Sequence, residues 1–258
     1  MLLAIDVGNT QTTIGLFSES GTMTRQWRMQ TDTAATIDEL QMKLYTYFLM
    51  LDEKLENIEN VAIASVVPIV TQKWQIIIDR MFNKQAFVIS STNDCGIEID
   101  MPYPSQAGAD RITNAIAAKQ TYGSPVLVVD FGTATTIDVV DEKGAFRGGA
   151  IMPGFMLSAQ TLFSKAAKLS SVPLVCPEHA LGSTTQEAVQ SGMVIGAAAQ
   201  IEGLVARIKK ELACPSAKVV ATGGNSSVVA KATDIFDAID PDLTLRGIYQ
   251  IWNNPTNN

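Results

Sequence analysis

Two segments of the chain carry an aspartate at the end of an apolar run, followed by a glycine and several threonines. The first is DVGNTQTT at residues 6–13, and the second is DFGTATTID at residues 130–138. Glycine lets a backbone approach phosphate oxygens closely, and successive amides with Thr or Asn side chains can donate hydrogen bonds to an anion. Asp6 and Asp130 could each hold a hydrated cation such as Mg²⁺. The pattern predicts two loops that hold the phosphates of a nucleotide.

A third segment, GADR at residues 108–111, contains groups suited to phosphoryl transfer. Asp110 could accept the proton of a hydroxyl that attacks a γ-phosphate, and Arg111 could balance the charge. The same residues also fit an ordinary helix start, because an acidic residue in the first turn stabilises the helix dipole. Taken alone, GADR leaves both interpretations open.

The elements that must position these groups alternate between strands and helices. Each Asp-x-Gly run ends a predicted buried strand, and two further strands follow it at hairpin spacing. Thr36 predicts the cap of a helix over 37–51, and Pro68 predicts the start of a helix that runs to Phe82. Other predicted strands cover 61–67, 86–90 and 218–222, and other helices cover 107–122, 155–167, 184–212 and 241–252.

The two Asp-x-Gly segments also repeat a larger pattern. Both have Gly at +2 and Thr at +6 from the aspartate, at an offset of 124 residues in a chain of 258. Strand, turn, strand, turn and strand follow in both copies. A repeat of this kind indicates gene duplication and an α/β protein built from two similar halves.

Composition and charge limit the function classes. Apolar residues form 47% of the chain and charged residues 17%, which argues against disorder. The net charge of −7 argues against binding to nucleic acid or to anionic membranes. The three cysteines show no CxxC spacing and predict reduced thiols in a cytoplasmic protein. The sequence has no basic leader and no unbroken apolar run of a membrane span's length, and it lacks the Walker lysine motif and GxGxxG.

The order of the motifs resembles that of the type III pantothenate kinases, which belong to the actin, sugar-kinase and Hsp70 ATPase superfamily. The resemblance runs from residue 2 to about 252 through DVGNTQTT, GADR, DFGTATTID, GGAIMPG at 148–154, TTQEAVQSG at 184–192 and TGG at 222–224. It implies two tandem ribonuclease-H-like domains, 1–118 and 119–258, with a central nucleotide cleft. It also implies an enzyme that phosphorylates pantothenate with ATP to 4′-phosphopantothenate, the first step of coenzyme A biosynthesis.

The resemblance assigns roles to individual residues. Asp110 would be the general base, Asp130 would bind K⁺ or NH₄⁺, and Asp6 would lie near the Mg²⁺. The family is homodimeric, with its substrate pocket near the dimer interface. The residues implied to bind ATP are Asp6, Val7, Gly8, Asn9, Thr10, Gln11, Thr12, Thr13 and Thr133. The residues implied to bind pantothenate are Tyr103, Gly108, Ala109, Asp110, Arg111 and Thr185, with Thr184 as an alternative to Thr185.

Two other functions fit parts of the pattern. One is a kinase of the same superfamily with a different acceptor, such as a sugar or a carboxylic acid. The other is a pantothenate-kinase-like transcriptional accessory protein without catalysis, which would be free to lose Asp110 and the phosphate loops. The only histidine, His179, is predicted to lie in a surface loop.

Overall fold

The computed structural model describes residues 1–51, 53–91, 93, 95–166 and 171–255. By their contacts the residues form two units: Met1–Ile97, Pro102–Ala117 and Thr244–Asn258 make the first, and Glu98–Met101 with Ala118–Leu243 make the second. The predicted division into domains after residue 118 stays a prediction. The contacts group the last helix of the chain with the first unit.

The first unit contains a five-stranded mixed sheet in the order β3-β2-β1-β4-β5. Strands β1 and β2 and strands β2 and β3 are antiparallel, whereas β4 runs parallel to both β1 and β5. The strands are β1 Leu2–Val7, β2 Gln11–Phe17, β3 Met23–Gln30, β4 Asn60–Ser65 and β5 Phe87–Val88. The predicted strand 86–90 is thus shorter in the structure, although Ile89 still donates its amide to Ile63.

Helices α1 (Ile37–Met50) and α2 (Pro68–Phe82) bury one face each against this sheet. In α1 the buried residues Leu40, Leu44 and Phe48 recur at the spacing of one helix face. Both predicted helix starts are confirmed. Thr36 and Glu39 form a capping box, in which each satisfies a backbone amide of the other, and Pro68 begins α2.

The second unit repeats the architecture, with a sheet in the order β10-β9-β6-β7-β8 and the same alternation of parallel and antiparallel pairs. Its strands are β6 Val126–Phe131, β7 Ala134–Val140, β8 Phe146–Pro153, β9 Lys218–Thr222 and β10 Ala238–Ile239. The predicted fold class, an α/β protein of two tandem domains, is confirmed.

The register corrects one detail of the predicted repeat. Asp6 pairs with Thr13, which is seven residues later, whereas Asp130 pairs with Thr136, six residues later. The second loop is one residue shorter, so the offset of 124 that holds for the aspartates becomes 123 in the following strands. The buried counterpart of Thr12 is therefore Thr135.

The other helices of the chain are α3 Ala109–Tyr122, α4 Phe155–Lys165, α5 Thr185–Gln190, α6 Gly196–Glu211, α7 Ser226–Val229 and α8 Leu243–Trp252. The predicted helix over 184–212 is a helical stretch of 27 residues, Thr185–Glu211, with a π-helical turn at Ser191–Ile195. By length and composition this stretch could cross a membrane, which is weak evidence because core helices meet the same criteria. Ala198, Ile201 and Val205 of α6 are buried in the core of the second unit. The predicted helix over 155–167 ends at Lys165, and residue 167 lies outside the described residues.

Candidate active site

The first Asp-x-Gly loop joins β1 to β2 in the first unit. Asp6 is half-buried at the penultimate position of β1, and the Gly8 amide donates to the Gln11 carbonyl at 3.0 Å, which closes the turn. Asn9, Thr10 and Gln11 are exposed residues at the turn. An exposed, glycine-containing turn at the end of a strand suits phosphate binding.

The remaining residues of this loop are less accessible. The side chains of Val7 and Thr12 are buried, and the hydroxyl of Thr12 lies 2.8 Å from that of Thr31. These two residues could therefore offer a nucleotide only backbone atoms. Thr13 is half-buried.

The second Asp-x-Gly loop joins β6 to β7 in the second unit. Asp130 is half-buried near the end of β6, and Gly132 and Thr133 are exposed. Two glycines pack closely against this loop: a Cβ at Gly154 would overlap the Thr133 carbonyl, and one at Gly223 would lie 2.5 Å from Asp130 Oδ1. Gly223 also has a φ of +86°, which side-chain-bearing residues rarely adopt. The motif GGAIMPG contains Gly154 and the motif TGG contains Gly223, but only the three-dimensional structure shows that both glycines contact the loop.

The GADR segment lies at the beginning of α3, as predicted. The Ile112 amide donates to the Gly108 carbonyl at 3.1 Å, which starts the helix, and Ala109 is buried. Asp110 Oδ1 accepts the Arg111 amide at 2.8 Å. Burial raises the pKa of Asp110, while the amide and the guanidinium of Arg111 act in the opposite direction without cancelling the effect. A carboxylate held by an amide, with a raised pKa, is suited to accepting a proton.

Gly108 leaves room for this carboxylate. A Cβ at position 108 would lie 2.6 Å from Asp110 Oδ1, closer than atoms of this kind normally approach. Its next neighbours would be 3.7 Å away, which is ordinary contact distance. Glycine at position 108 therefore leaves space for the Asp110 carboxylate, independently of any contact with a substrate.

Tyr103 lies on the surface just before the single helical turn Pro104–Gln106. Its carbonyl accepts the Gln106 amide at 3.0 Å. The phenol ring is accessible to a ligand. Tyr103 and the GADR segment both belong to the first unit.

The structure distinguishes the two threonines at the start of α5. Thr184 is the N-cap: its hydroxyl accepts the Glu187 amide at 3.2 Å, and its own amide donates to the Glu187 carboxylate at 3.1 Å. Thr185 has no such capping contact and lines a cavity of about 500 Å³ in the second unit. The other lining residues are Leu162, Ala188, Val189, Gly192 and Met193.

The predicted site residues are thus divided between the units. The loop of residues 6–13, Tyr103 and GADR lie in the first unit, and Asp130, Thr133 and Thr185 lie in the second. Within the described residues, no group of three or more His, Cys, Asp or Glu side chains is arranged to hold a metal ion.

Sequence reasoning missed a set of polar contacts along β7 and at its turn into β8, the end of β7 away from the second loop. Asp138 on β7 is fully buried and accepts a hydrogen bond from the Thr136 hydroxyl at 3.1 Å. Arg147, at the start of β8, forms ion pairs with Asp100 and Asp141. The alternation of polar and apolar residues along β7 could have indicated Asp138, but nothing in the sequence pairs Arg147 with Asp100.

Comparisons with known proteins show which family and which fold this chain resembles. The family model described as type III pantothenate kinase matches residues 2–207. A type III pantothenate kinase from Listeria monocytogenes serotype 4a (strain HCC23) is 39% identical over 258 residues, which cover 99% of this chain and 99% of the relative.

Among solved structures, the fold is similar to that of a Sinorhizobium meliloti protein named as a 2-dehydro-3-deoxygalactonokinase, with a TM-score of 0.63, 13% identity and 98% coverage of both chains. It is also similar to a Campylobacter jejuni protein named for the Baf family of transcriptional activators, with a TM-score of 0.61, 19% identity and coverage of 97% and 96%. At these identities the two structures support the fold alone, which is that of the actin-like ATPases and sugar kinases.

Proposed function

The chain belongs to the type III pantothenate kinase family, and we propose that Asp110 is the general base of its reaction. That reaction is the ATP-dependent phosphorylation of pantothenate in coenzyme A biosynthesis. The observation that carries the proposal is the Asp110 carboxylate at the start of α3, held by the Arg111 amide and raised in pKa by burial. Asp110 takes the proton of the primary hydroxyl of pantothenate as the hydroxyl oxygen attacks the γ-phosphorus of ATP, and the bond to the β,γ-bridging oxygen breaks to release ADP.

Phosphoryl transfer depends mainly on positioning and charge neutralisation. Arg111 has a planar guanidinium that fits a carboxylate or a phosphate in a bidentate manner, so it binds the pantothenate carboxylate or the transferred phosphoryl group. The product is 4′-phosphopantothenate.

The two Asp-x-Gly loops bind the nucleotide. Residues 6–13 and Thr133 contact the ATP phosphates, with Val7 and Thr12 contributing only backbone atoms because their side chains are buried. An ATP-dependent kinase of this fold uses a divalent cation such as Mg²⁺, which neutralises phosphate charge. Asp6 lies at the strand end next to the exposed turn and is the residue of this loop suited to hold it.

Asp130 binds the monovalent cation, K⁺ or NH₄⁺. Its half-buried carboxylate lies at the end of β6, against Gly223 and beside the exposed loop residues Gly132 and Thr133. Carboxylate and backbone carbonyl oxygens are the ligands that such a cation takes. Replacement of K⁺ by Na⁺ then lowers the rate sharply, and a rate indifferent to the cation would contradict this assignment.

Pantothenate is bound by Tyr103, Gly108 to Arg111 and Thr185. The choice of Thr185 over Thr184 is supported by the capping box, because the Thr184 hydroxyl already accepts the Glu187 amide. Thr185 lies at a cavity with mainly apolar lining, which suits the branched hydrocarbon part of the substrate.

The functional unit is a homodimer in the cytoplasm, without nucleic acid or membrane partners, and its domains are 1–118 and 119–258. Exposed apolar side chains in the second unit support an interface. They are Ile151, Met156, Leu157, Leu162 and Leu181. Sedimentation equilibrium of the wild type and of Leu157→Glu tests this, and a monomeric wild type at micromolar concentration would contradict it.

The decisive experiment measures ADP release with pantothenate, ATP, Mg²⁺ and K⁺ for the wild type and for Asp110→Asn. The wild type turns over, and the variant loses at least about 100-fold in kcat, within the range for general bases. No turnover on pantothenate would contradict the kinase assignment. Full activity of Asp110→Asn would contradict the role of Asp110 alone.

A further inference from the structure

Residues 98–101 extend the edge of the second sheet. The Phe146 amide donates to the Glu98 carbonyl at 2.8 Å, and the Asp100 amide donates to the Phe146 carbonyl at 2.9 Å. Ile99 and Phe146 form a parallel bridge between these two hydrogen bonds. The segment is therefore attached to β8 by its backbone on both sides of Ile99.

Arg147, the next residue of β8, adds an ion pair to this attachment. Its Nη1 lies 2.9 Å from Asp100 Oδ2 and 3.2 Å from Asp141 Oδ2. Asp141 is itself fixed, because it accepts the amides of Lys143 and Ala145 at 3.0 Å each. Burial acts to raise the pKa of Asp141, but these amides and Arg147 together lower it. Arg147 is thus held by a stationary carboxylate and presents its guanidinium to Asp100.

The attachment continues to the residue after Asp100. Gly148 has a φ of +84°, and a Cβ built there would lie 3.6 Å from both Sδ and Cε of Met101, so the Met101 side chain packs over this glycine. Pro102 and Tyr103 follow directly, and Pro104 begins the single helical turn. Two prolines in three residues leave this stretch few conformations, since proline fixes φ and restricts the residue before it.

We propose that Arg147 and Asp100 are positioning residues for pantothenate. Their ion pair fixes the chain three residues before Tyr103, so that less conformational freedom is lost when the substrate orders this segment. The inference rests on the proposed roles of Tyr103 and GADR in binding pantothenate. Both side chains are partly exposed, 40% for Arg147 and 54% for Asp100. An exposed ion pair contributes only a small interaction free energy, so its loss should change the KM by about two- to fivefold, on the order of the values measured for such pairs.

The cleanest variant is Asp100→Asn, which removes the charge but keeps the size of the side chain and leaves Arg147 paired with Asp141. The matched control is Asp38→Asn in the first unit, because Asp38 also forms an exposed ion pair, with Arg80 Nη1 at 3.1 Å. Steady-state kinetics give kcat and the KM values for pantothenate and for ATP, and thermal melting reports stability.

Asp100→Asn is expected to raise the KM for pantothenate by about two- to fivefold, as for an exposed ion pair, and to leave kcat and the KM for ATP unchanged. Asp38→Asn should change none of the three. The difference should shrink as ionic strength rises, because exposed pairs are screened by salt. If Asp100 acted only by repelling the anionic pantothenate, removal of its charge would lower the KM for pantothenate. An unchanged or lowered KM for pantothenate, or an equal rise for ATP, overturns the inference.

Three further variants complete the test: two at Arg147 examine the ion pair itself, and Tyr103→Ala separates this inference from the proposed function. Arg147→Lys, which keeps a cation, should restore part of the affinity that Arg147→Met loses. Tyr103→Ala should raise the KM for pantothenate more than Asp100→Asn does. If Tyr103→Ala raises this KM and Asp100→Asn does not, the positioning inference is wrong and the proposed substrate site stands. If neither variant raises it, both are wrong.

Discussion

The contact between Gly108 and Asp110 makes Gly108→Ala an informative substitution. The added Cβ would lie 2.6 Å from Asp110 Oδ1, and ordinary contact begins at 3.4 Å, so the oxygen must move by about 0.8 Å. The movement is easy because Asp110 can rotate about its side-chain bonds. Its carboxylate then leaves the Arg111 amide that holds it at 2.8 Å.

The expected effect is on catalysis and not on stability. A misplacement of about 1 Å costs on the order of 100-fold in rate, so kcat should fall by roughly 10- to 100-fold, or about 1.4–2.7 kcal/mol in activation free energy. The other neighbours of the new Cβ are 3.7 Å away, and Gly108 is not one of the glycines with positive φ. The gain of about 0.4–1 kcal/mol from replacing glycine offsets the loss of about 1 kcal/mol from one hydrogen bond.

The assay is ADP release at saturating ATP and pantothenate, together with thermal melting. The control is Gly203→Ala in α6, where the new Cβ meets no atom within 4 Å apart from the backbone of its own helix. We expect the melting temperature of Gly108→Ala to stay within about 3 °C of the wild type, and the kcat of the control to be unchanged. A kcat for Gly108→Ala within twofold of the wild type, with the fold intact, would refute the reasoning that the glycine keeps the carboxylate in place.

Four other substitutions test three separate parts of the site. Because burial raises the pKa of Asp110 above its usual 3.8, the folded state binds the proton more tightly than the unfolded state does, and stability falls as pH rises between these two pKa values. Asp110→Asn should therefore be at least as stable as the wild type at pH 7 in urea unfolding, and a less stable variant would contradict the assigned shift. Thr184→Val should lose about 1 kcal/mol of stability because it removes the N-cap of α5. Thr185→Val should instead raise the KM for pantothenate and leave the melting temperature unchanged. The reverse pattern would assign the substrate contact to Thr184. Gly223→Ala places a Cβ 2.5 Å from Asp130 Oδ1 at a φ of +86°. If Asp130 binds K⁺ as proposed, this variant should raise the K⁺ concentration needed for half-maximal activity by about tenfold, which corresponds to about 1.4 kcal/mol of binding free energy; an unchanged K⁺ dependence would separate Gly223 from the proposed cation site.

Local sequence signals predicted much of the fold because their physical causes are local. The capping box of Thr36 gives hydrogen-bond partners to backbone amides in the first turn of α1, and Pro68 has no amide hydrogen that would need a partner at the start of α2. Both mechanisms act within one helical turn, and the structure confirms both helix starts. Strand β5 is shorter than predicted, since apolar residues at 86–90 do not by themselves determine how many find a partner strand. The π-helical turn at 191–195 likewise gave no local signal, because the periodicity around it is that of a continuous helix.

In the candidate site, too, some features were predictable from local sequence and others required the structure. The residue types in DVGNTQTT, GADR and DFGTATTID were sufficient to predict phosphate loops and a carboxylate base. The sequence could not distinguish Thr184 from Thr185, because both hydroxyls suit either role; only the capping contact with Glu187 separates them.

The sequence by itself determined the chemistry and the duplicated order of elements, because side-chain type, strand pattern and turn residues are written at short range along the chain. Tertiary structure alone decided which side chains are accessible and which contacts join distant residues. It buried Thr12 against Thr31, placed Gly223 against Asp130, and brought Arg147 to Asp100. Those contacts depend on strand register and on the packing of elements far apart in the chain, and a shift of one residue in the second loop was enough to change which threonines correspond.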